Sequence, residues 1–272
     1  MLGEGAFWHP LRNQLYWFDI LDKKLFTLEN KKTKFWQFEE YVSAAGWIDM
    51  STLIIAGENN LFLFNIETSE RKDVCDLEKN QTSNRSNDGC ADPWGGFWIS
   101  TMGKKAEFDN GAIYRFYKNK LVKLFENLTI PNSICFSEEI PAGYFSDTDK
   151  QIIYRQELDR KSGWPEGEKE IFFDLSNKNL NPDGMTIDKD GNLWCALWGS
   201  SQLISISKFG HILDTFKLSA KQPTCPSFGG NNLNSIFLTS ASVGLRDKEE
   251  ADGQTFKIDI GVQGKPEFKV KL

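Results

Sequence analysis

The sequence is poor in the side chains and motifs that common catalytic sites use. Its 272 residues include only two histidines, His9 and His211, so a Ser-His-Asp or Cys-His arrangement would need one of them. His9 precedes Pro10 and His211 follows Phe209-Gly210, which favours solvated turns for both. No G-x-S-x-G elbow, GxxxxGK[ST] loop or HExxH pair occurs, so nothing here indicates the chemistry that those motifs carry.

Cysteines and long apolar runs are also scarce. The five cysteines lie far apart and form no CxxC pair, which argues against a disulfide framework and a zinc knuckle. No stretch approaches the roughly 18 apolar residues of a membrane span. The first residues, MLGEGAFWHP, lack the basic and apolar regions of a secretory leader. We therefore expect reduced thiols, a cytoplasmic protein and no membrane partner.

An excess of positive charge is missing as well. The chain has 32 Lys and Arg against 38 Asp and Glu, a formal net charge of −6 at pH 7. Binding to a phosphate backbone needs a concentrated positive field, so we expect no nucleic-acid partner. No feature of the sequence indicates an obligate protein partner.

Aromatic residues, in contrast, are abundant. The chain has 21 Phe, 9 Trp and 6 Tyr, 13% of all residues, and aromatic side chains favour strands. They recur in pairs of short strands separated by turns, for example RNQLYWFDI before KLFTLE and DMSTLIIAG before NLFLFN. Six such pairs are visible and helical periodicity is scarce, so the sequence predicts an all-β protein.

The spacing of these pairs predicts a propeller. The leading apolar residues of the six pairs lie 37 to 50 residues apart, on average about 44. Four-stranded propeller blades repeat every 40–45 residues or so, and about 4–8 blades close a ring. A plain β-sandwich would show strands every 8–12 residues or so without this longer period. We therefore predict a six-bladed β-propeller that forms a single domain over residues 1–272.

Polar residues occur at one common place in this repeat. Some 10 to 12 residues before the leading apolar residue, where the innermost strand of a blade begins, four blades carry an oxygen-bearing side chain. These residues are Glu4, Asn87, Asn132 and Asp183; the other two blades have Val42 with Ser43 and Thr224 with Cys225. Because inner strands converge on the propeller axis, two carboxylates and two amides would meet there and suit a hard cation.

A purely structural interpretation of the same residues stays open at this point. Asn and Asp before Gly favour turns, so NDG (Asn87 to Gly89) and PDG (Pro182 to Gly184) would then be turns at the start of strands. Their common position within the repeat favours a site.

The chain resembles, in the same order along nearly its whole length, the senescence-marker, gluconolactonase and luciferin-regenerating (regucalcin-like) family. Five segments carry this resemblance: LGEGAFWHP (Leu2 to Pro10), RSNDGCADPWGGFWISTM (Arg85 to Met102), IPNSICFS (Ile130 to Ser137), NPDGMTIDKDGNLWCALW (Asn181 to Trp198) and PSFGGNNLNSIFLTSA (Pro226 to Ala241). Each segment alone is a weak signal, and five in order are a strong one.

The resemblance implies one divalent metal ion (Ca, Mg, Mn or Zn) in the central channel. By their place in the segments, Glu4, Asn132 and Asp183 would be the metal ligands, and Arg85 and Asn87 would contact substrate oxygens. Such proteins typically hydrolyse small sugar lactones such as gluconolactone. The metal would polarise the lactone carbonyl, and Asp183 would accept the proton of the attacking water.

Two other functions are alternatives to this lactonase. One is a non-catalytic, calcium-binding or regulatory propeller; Arg85 and Asn87, which such a protein would not need, argue against it. The other is a protein-interaction platform, but no recurring GH…WD pattern supports it.

The resemblance also bears on how the ring closes. Family members generally have a strand before the LGEG segment that helps to close the last blade against the first. Closure is therefore expected to rely on the carboxy-terminal FKVKL (Phe268 to Leu272) or on residues before Met1.

Overall fold

A computed structural model describes residues 1–29 and 31–272, and it consists of six antiparallel sheets arranged as a propeller. The first blade contains β1 (Gly3–His9), β2 (Gln14–Asp19), β3 (Lys24–Glu29) and β4 (Lys32–Gln37). The second contains β5 (Val42–Trp47), β6 (Thr52–Gly57), β7 (Asn60–Asn65) and β8 (Arg71–Asp76). The third contains β9 (Asn84–Ala91), β10 (Phe97–Gly103), β11 (Gly111–Tyr117) and β12 (Lys120–Leu128).

The second half of the chain repeats this order. The fourth blade contains β13 (Pro131–Ser137), β14 (Ala142–Asp147), β15 (Ile152–Glu157) and β16 (Glu170–Asp174). The fifth contains β17 (Asn181–Ile187), β18 (Leu193–Trp198), β19 (Gln202–Ile206) and β20 (Ile212–Lys217). The sixth has three strands, β21 (Gln222–Gly229), β22 (Ser235–Ala241) and β23 (Phe256–Asp259). The six-bladed β-propeller is confirmed, with one strand fewer in the last blade.

The first strand of each blade lies innermost. Strands β1, β5, β9, β13, β17 and β21 each pair with one strand of their own sheet and contact the first strands of the two neighbouring blades. These six strands therefore surround a central channel, and their first residues share one end of it.

The aromatic residues pack between the blades. Six clusters of buried apolar side chains lie at the six seams between neighbouring sheets. Trp8 of the first blade stacks on Phe237 of the sixth, with ring centroids 5.2 Å apart, and Trp98 of the third blade meets Phe136 of the fourth edge to face at 5.1 Å. Large flat rings fill the wedges between twisted sheets, which explains the aromatic content.

The ring is not closed by the carboxy-terminal FKVKL segment, as one of the two expectations had it. Leu2 forms an antiparallel bridge with Ala241 of β22, and the Thr224 hydroxyl donates to the Gly3 carbonyl at 2.6 Å. The first residues of the chain therefore bind the last blade directly.

The carboxy-terminal segment instead crosses the far end of the channel. This strap, Gly264 to Lys271, begins beside Asp188 of the fifth blade, with which Gly264 forms a bridge. It ends at the second and third blades, where the Val270 and Lys271 amides donate to the carbonyls of Trp47 and Gly95. Val270 is fully buried between those two blades.

Helical structure is confined to one short 3₁₀ helix, Ser176–Lys178, within the part of the chain that the structure describes. No helix in residues 1–29 and 31–272 has the length and apolar character needed to cross a membrane.

Candidate metal centre

Each innermost strand has an irregularity in its pairing close to its first residues. Register shifts fall between Glu4 and Phe7, Val42 and Ala44, Ser86 and Gly89, Asn132 and Cys135, Pro182 and Met185, and Pro223 and Pro226. Such bulges interrupt the alternation of a strand and redirect its side chains. NDG and PDG lie inside β9 and β17, so their interpretation as turns is wrong.

The glycines of these segments have a packing role. Gly5 has φ +56°, and a Cβ there would overlap the carbonyl oxygen of Ser43 on the second blade. A Cβ on Gly184 would lie 2.7 Å from Cys225 Cα on the sixth blade. Neighbouring inner strands approach each other too closely for a side chain at these two positions.

The bulges bring all five predicted site residues together at one level of the channel, which we call the ligand level: Glu4, Arg85, Asn87, Asn132 and Asp183. The Asn132 amide donates to Asp183 Oδ1 at 2.5 Å. Arg85 Nη1 donates to Asn87 Oδ1 at 2.9 Å, and Asn87 Nδ2 donates to the Pro131 carbonyl at 3.2 Å. Glu4 lies within the electrostatic reach of both Asp183 and Arg85.

The two carboxyl groups of the ligand level are buried. Glu4 is 7% exposed and Asp183 3%. Burial raises the pKa of Glu4 well above its ordinary value, and the charges of Asp183 and Asp88 raise it further. Burial and then the charge of Asp88 raise the pKa of Asp183, while the hydrogen bond from Asn132 opposes this. Ionising both of these neighbouring buried groups costs considerable free energy unless positive charge lies between them.

The donor chemistry of the ligand level fits a hard cation. Glu4 and Asp183 supply carboxylate oxygens and Asn132 an amide oxygen, which are the ligand types that Ca²⁺, Mg²⁺ and Mn²⁺ prefer. Within residues 1–29 and 31–272, no three His, Cys, Asp or Glu side chains form a metal-binding group. The predicted set contains two such side chains and an amide.

Asp88 is a buried carboxylate next to the ligand level, and the sequence did not indicate it. Its Oδ2 accepts the Ile134 amide at 2.8 Å and its Oδ1 accepts the Gly89 amide at 2.8 Å. Burial raises its pKa to about 6. The repeat spacing indicates one position in each blade, whereas the bulge of β9 turns two consecutive side chains, those of Asn87 and Asp88, inward. The sequence feature that could have indicated Asp88 is its position directly after Asn87.

Below the ligand level, the same strands enclose a chamber that ends at the strap. It is lined mainly by apolar side chains and by Cys90, Cys135 and Cys225, with Asp88 at one end and Glu267 of the strap at the other. The space open to the centres of water molecules is about 60 Å³, which holds a few waters. Burial raises the pKa of Glu267 to about 7.

His9 lies near the strap. Its predicted position in a solvated turn is wrong. It is fully buried at the end of β1, where its Nε2 lies 3.0 Å from the Asp49 carbonyl and its ring lies 5.7 Å from that of Trp47. The seam between the first two blades buries it, although the following Pro10 does start a turn. His211 is exposed in a turn, as predicted.

Comparison with known proteins assigns the chain to a family. Residues 2–242 match the family model described as SMP-30/Gluconolactonase/LRE-like region. The chain belongs to this family. The five segments that carried the resemblance in sequence all lie within the matched SMP-30/Gluconolactonase/LRE-like residues.

Three relatives illustrate the family. The crystal structure of a calcium-binding protein, regucalcin, from Agrobacterium tumefaciens str. C58 has a TM-score of 0.97 and 35% identity, covering 100% of this chain and 94% of that one. A pentonolactonase of Haloferax volcanii is 28% identical, with 98% of this chain and 94% of the relative covered. A 6-deoxy-6-sulfogluconolactonase of Pseudomonas putida is 26% identical, with 97% and 93% covered.

Proposed function

We propose that this protein is an enzyme that hydrolyses small sugar lactones, such as gluconolactone, with one divalent cation held by Glu4, Asn132 and Asp183. The observation that carries the proposal is the meeting of two buried carboxyl groups and an amide on the channel axis beside Arg85. Full-length similarity to proteins named as lactonases supports it.

The cation, when bound, supplies a Lewis acid that polarises the lactone carbonyl. Arg85 and Asn87 bind substrate oxygens. Arg85 already donates to Asn87 Oδ1, so the guanidinium and the amide hold each other in place before substrate arrives. Such preorganisation reduces the reorganisation that the reaction requires.

Asp183 is the proposed general base. Its Oδ1 accepts the Asn132 amide, which orients the carboxylate and leaves Oδ2 to accept the proton of an attacking water. Burial raises the pKa of Asp183 when no cation is bound. A bound cation would favour the ionised carboxylate, which is the form that accepts a proton. This chemistry needs no Ser-His pair, in agreement with the sequence.

The test is a lactone panel followed with a pH indicator, using protein stripped with a chelator. We expect no enzymatic hydrolysis after chelation and recovery after one of Ca²⁺, Mg²⁺, Mn²⁺ or Zn²⁺ is added back. Unchanged hydrolysis by the metal-free protein would contradict the proposal.

A regucalcin-like calcium-binding protein without catalysis is the second candidate. The name of the Agrobacterium tumefaciens relative favours it. Tight Ca²⁺ binding together with an inert response to every aldonolactone in the panel would establish this function instead.

A further inference from the structure

The residue directly before each proposed metal ligand has a backbone carbonyl that accepts a hydrogen bond from a side-chain hydroxyl of the previous blade. Strands β1, β13 and β17 lie at the inner edges of their sheets, so a carbonyl on the axis side has no strand partner in its own sheet and needs another donor. Three hydroxyls meet this need: Thr224 Oγ1 lies 2.6 Å from the Gly3 carbonyl, Ser100 Oγ 2.9 Å from the Pro131 carbonyl and Thr148 Oγ1 2.7 Å from the Pro182 carbonyl.

These carbonyls precede Glu4, Asn132 and Asp183 in turn, one for each ligand. A peptide unit is planar, so the carbonyl of one residue and the nitrogen of the next move together. A hydroxyl that donates a hydrogen bond to this carbonyl therefore fixes the orientation of the peptide plane, and with it the direction in which the side chain of the ligand residue points. This control matters at a bulge, where the regular ladder is interrupted.

The arrangement differs at Asn87, which we assign to substrate rather than to metal. There the hydroxyl of the previous blade, Ser43 Oγ, donates to the Ser86 hydroxyl at 2.8 Å, and Arg85 Nη1 donates to the Ser86 carbonyl. The hydroxyl-to-carbonyl contact from the previous blade thus accompanies the three proposed metal ligands.

We propose that Ser100, Thr148 and Thr224 are positioning residues that set the geometry, and so the affinity, of the metal centre. This inference rests on the proposed function, because it requires that Glu4, Asn132 and Asp183 bind a cation. Residues that orient metal ligands typically change metal affinity by about 10- to 100-fold when they are replaced.

Thr148 gives the sharpest test because it is only partly buried, in the turn between β14 and β15. Thr148→Val removes the hydroxyl and keeps the shape, whereas Thr148→Ser keeps the hydroxyl. The matched control is Thr27→Val in β3, which removes a hydroxyl that donates to the Leu15 carbonyl at 2.7 Å within the first blade, where no ligand follows. Thr224→Val and Thr224→Ser repeat the comparison at Glu4.

The measurement is the dissociation constant of Ca²⁺, Mg²⁺, Mn²⁺ or Zn²⁺, each titrated alone into chelator-stripped protein, with thermal unfolding of the metal-free proteins alongside. We expect Thr148→Val to weaken binding by about tenfold, and Thr148→Ser and Thr27→Val to stay within about twofold of the wild-type protein. Equal affinity of Thr148→Val and the wild-type protein, or equal loss in Thr148→Ser, would overturn the inference while the proposed function stands. A wild-type protein that binds none of the four ions would overturn both.

Discussion

The ligand level and the chamber are built from the same six strands but differ in chemistry. At the ligand level the strands present Glu4, Asn132 and Asp183, whose oxygen atoms suit a hard cation. Two or three residues further along, the same strands present Ala6, Cys135 and Met185 to the chamber. The bulges lie between these positions, so a local change of register separates the carboxylate and amide side chains of the ligand level from the apolar side chains and thiols that the strands present to the chamber.

Both levels contain a carboxyl group of raised pKa, Asp183 being buried and Glu267 half-buried. The partners of the two groups differ. Asp183 accepts a short hydrogen bond from Asn132 and lies within reach of the charge of Arg85. Glu267 in the chamber is 3.4 Å from the Ser227 hydroxyl. Burial raises the pKa of both groups, and that of Glu267 to about 7. A cation bound at the ligand level would keep Asp183 ionised, whereas Glu267 has only the Ser227 hydroxyl to oppose the effect of burial.

Replacing Asp183 should have the largest effect. Asp183→Asn keeps the shape of the side chain but removes one ligand charge and the general base. We expect lactone hydrolysis in the presence of added divalent metal to fall by about 10²–10³-fold or more. The matched variant in the chamber, Glu267→Gln, should retain lactone hydrolysis within about threefold of the wild-type rate. A similar loss of hydrolysis in both variants would show that the ligand level and the chamber do not differ in function.

Glu267 should influence stability in a pH-dependent way. Its pKa is raised from 4.5 to about 7 in the folded protein, so the unfolded chain releases the proton first as the pH rises. Relative to Glu267→Gln, the wild-type protein should lose about 2–3 kcal/mol of unfolding free energy between pH 4.5 and 7. Urea unfolding at pH 4.5, 6 and 8 measures this difference. If the difference in unfolding free energy between the wild-type protein and Glu267→Gln does not change with pH, the carboxyl group of Glu267 is solvated in the folded protein.

Val270 provides a smaller test of the strap. Val270→Ala removes buried methyl groups between the second and third blades, and should lower the free energy of unfolding by about 1–3 kcal/mol. The metal dissociation constant should stay within about twofold, since the strap lies at the far end of the channel from Glu4. Weaker metal binding in this variant would show that the strap and the ligand level are coupled.

The strands were predictable because their pattern is local. The segments KLFTLE and NLFLFN form β3 and β7 without any difference in their bounds. Turn residues and alternating aromatic side chains mark such strands within a few residues of chain. The common spacing of Glu4, Asn87, Asn132 and Asp183 was visible for the same reason.

The remaining features depend on contacts between distant residues. The bulge at Gly5 reflects the approach of Ser43 on another blade, and the strap is held by Trp47, more than two hundred residues away in the chain. His9 is buried by packing at a seam that the sequence around it does not reveal. None of these contacts has a local pattern. The repeat spacing therefore indicated residues that the structure brings together at the ligand level, but not the contacts that support them.

Metal titration into three chelator-stripped proteins tests the central claim most directly: the wild-type protein, Asp183→Asn and Glu267→Gln. We predict one divalent ion per wild-type chain, the same stoichiometry and affinity in Glu267→Gln, and no measurable site in Asp183→Asn. Binding that survives in Asp183→Asn and disappears in Glu267→Gln would place the cation in the chamber and contradict the assignment of the ligand level.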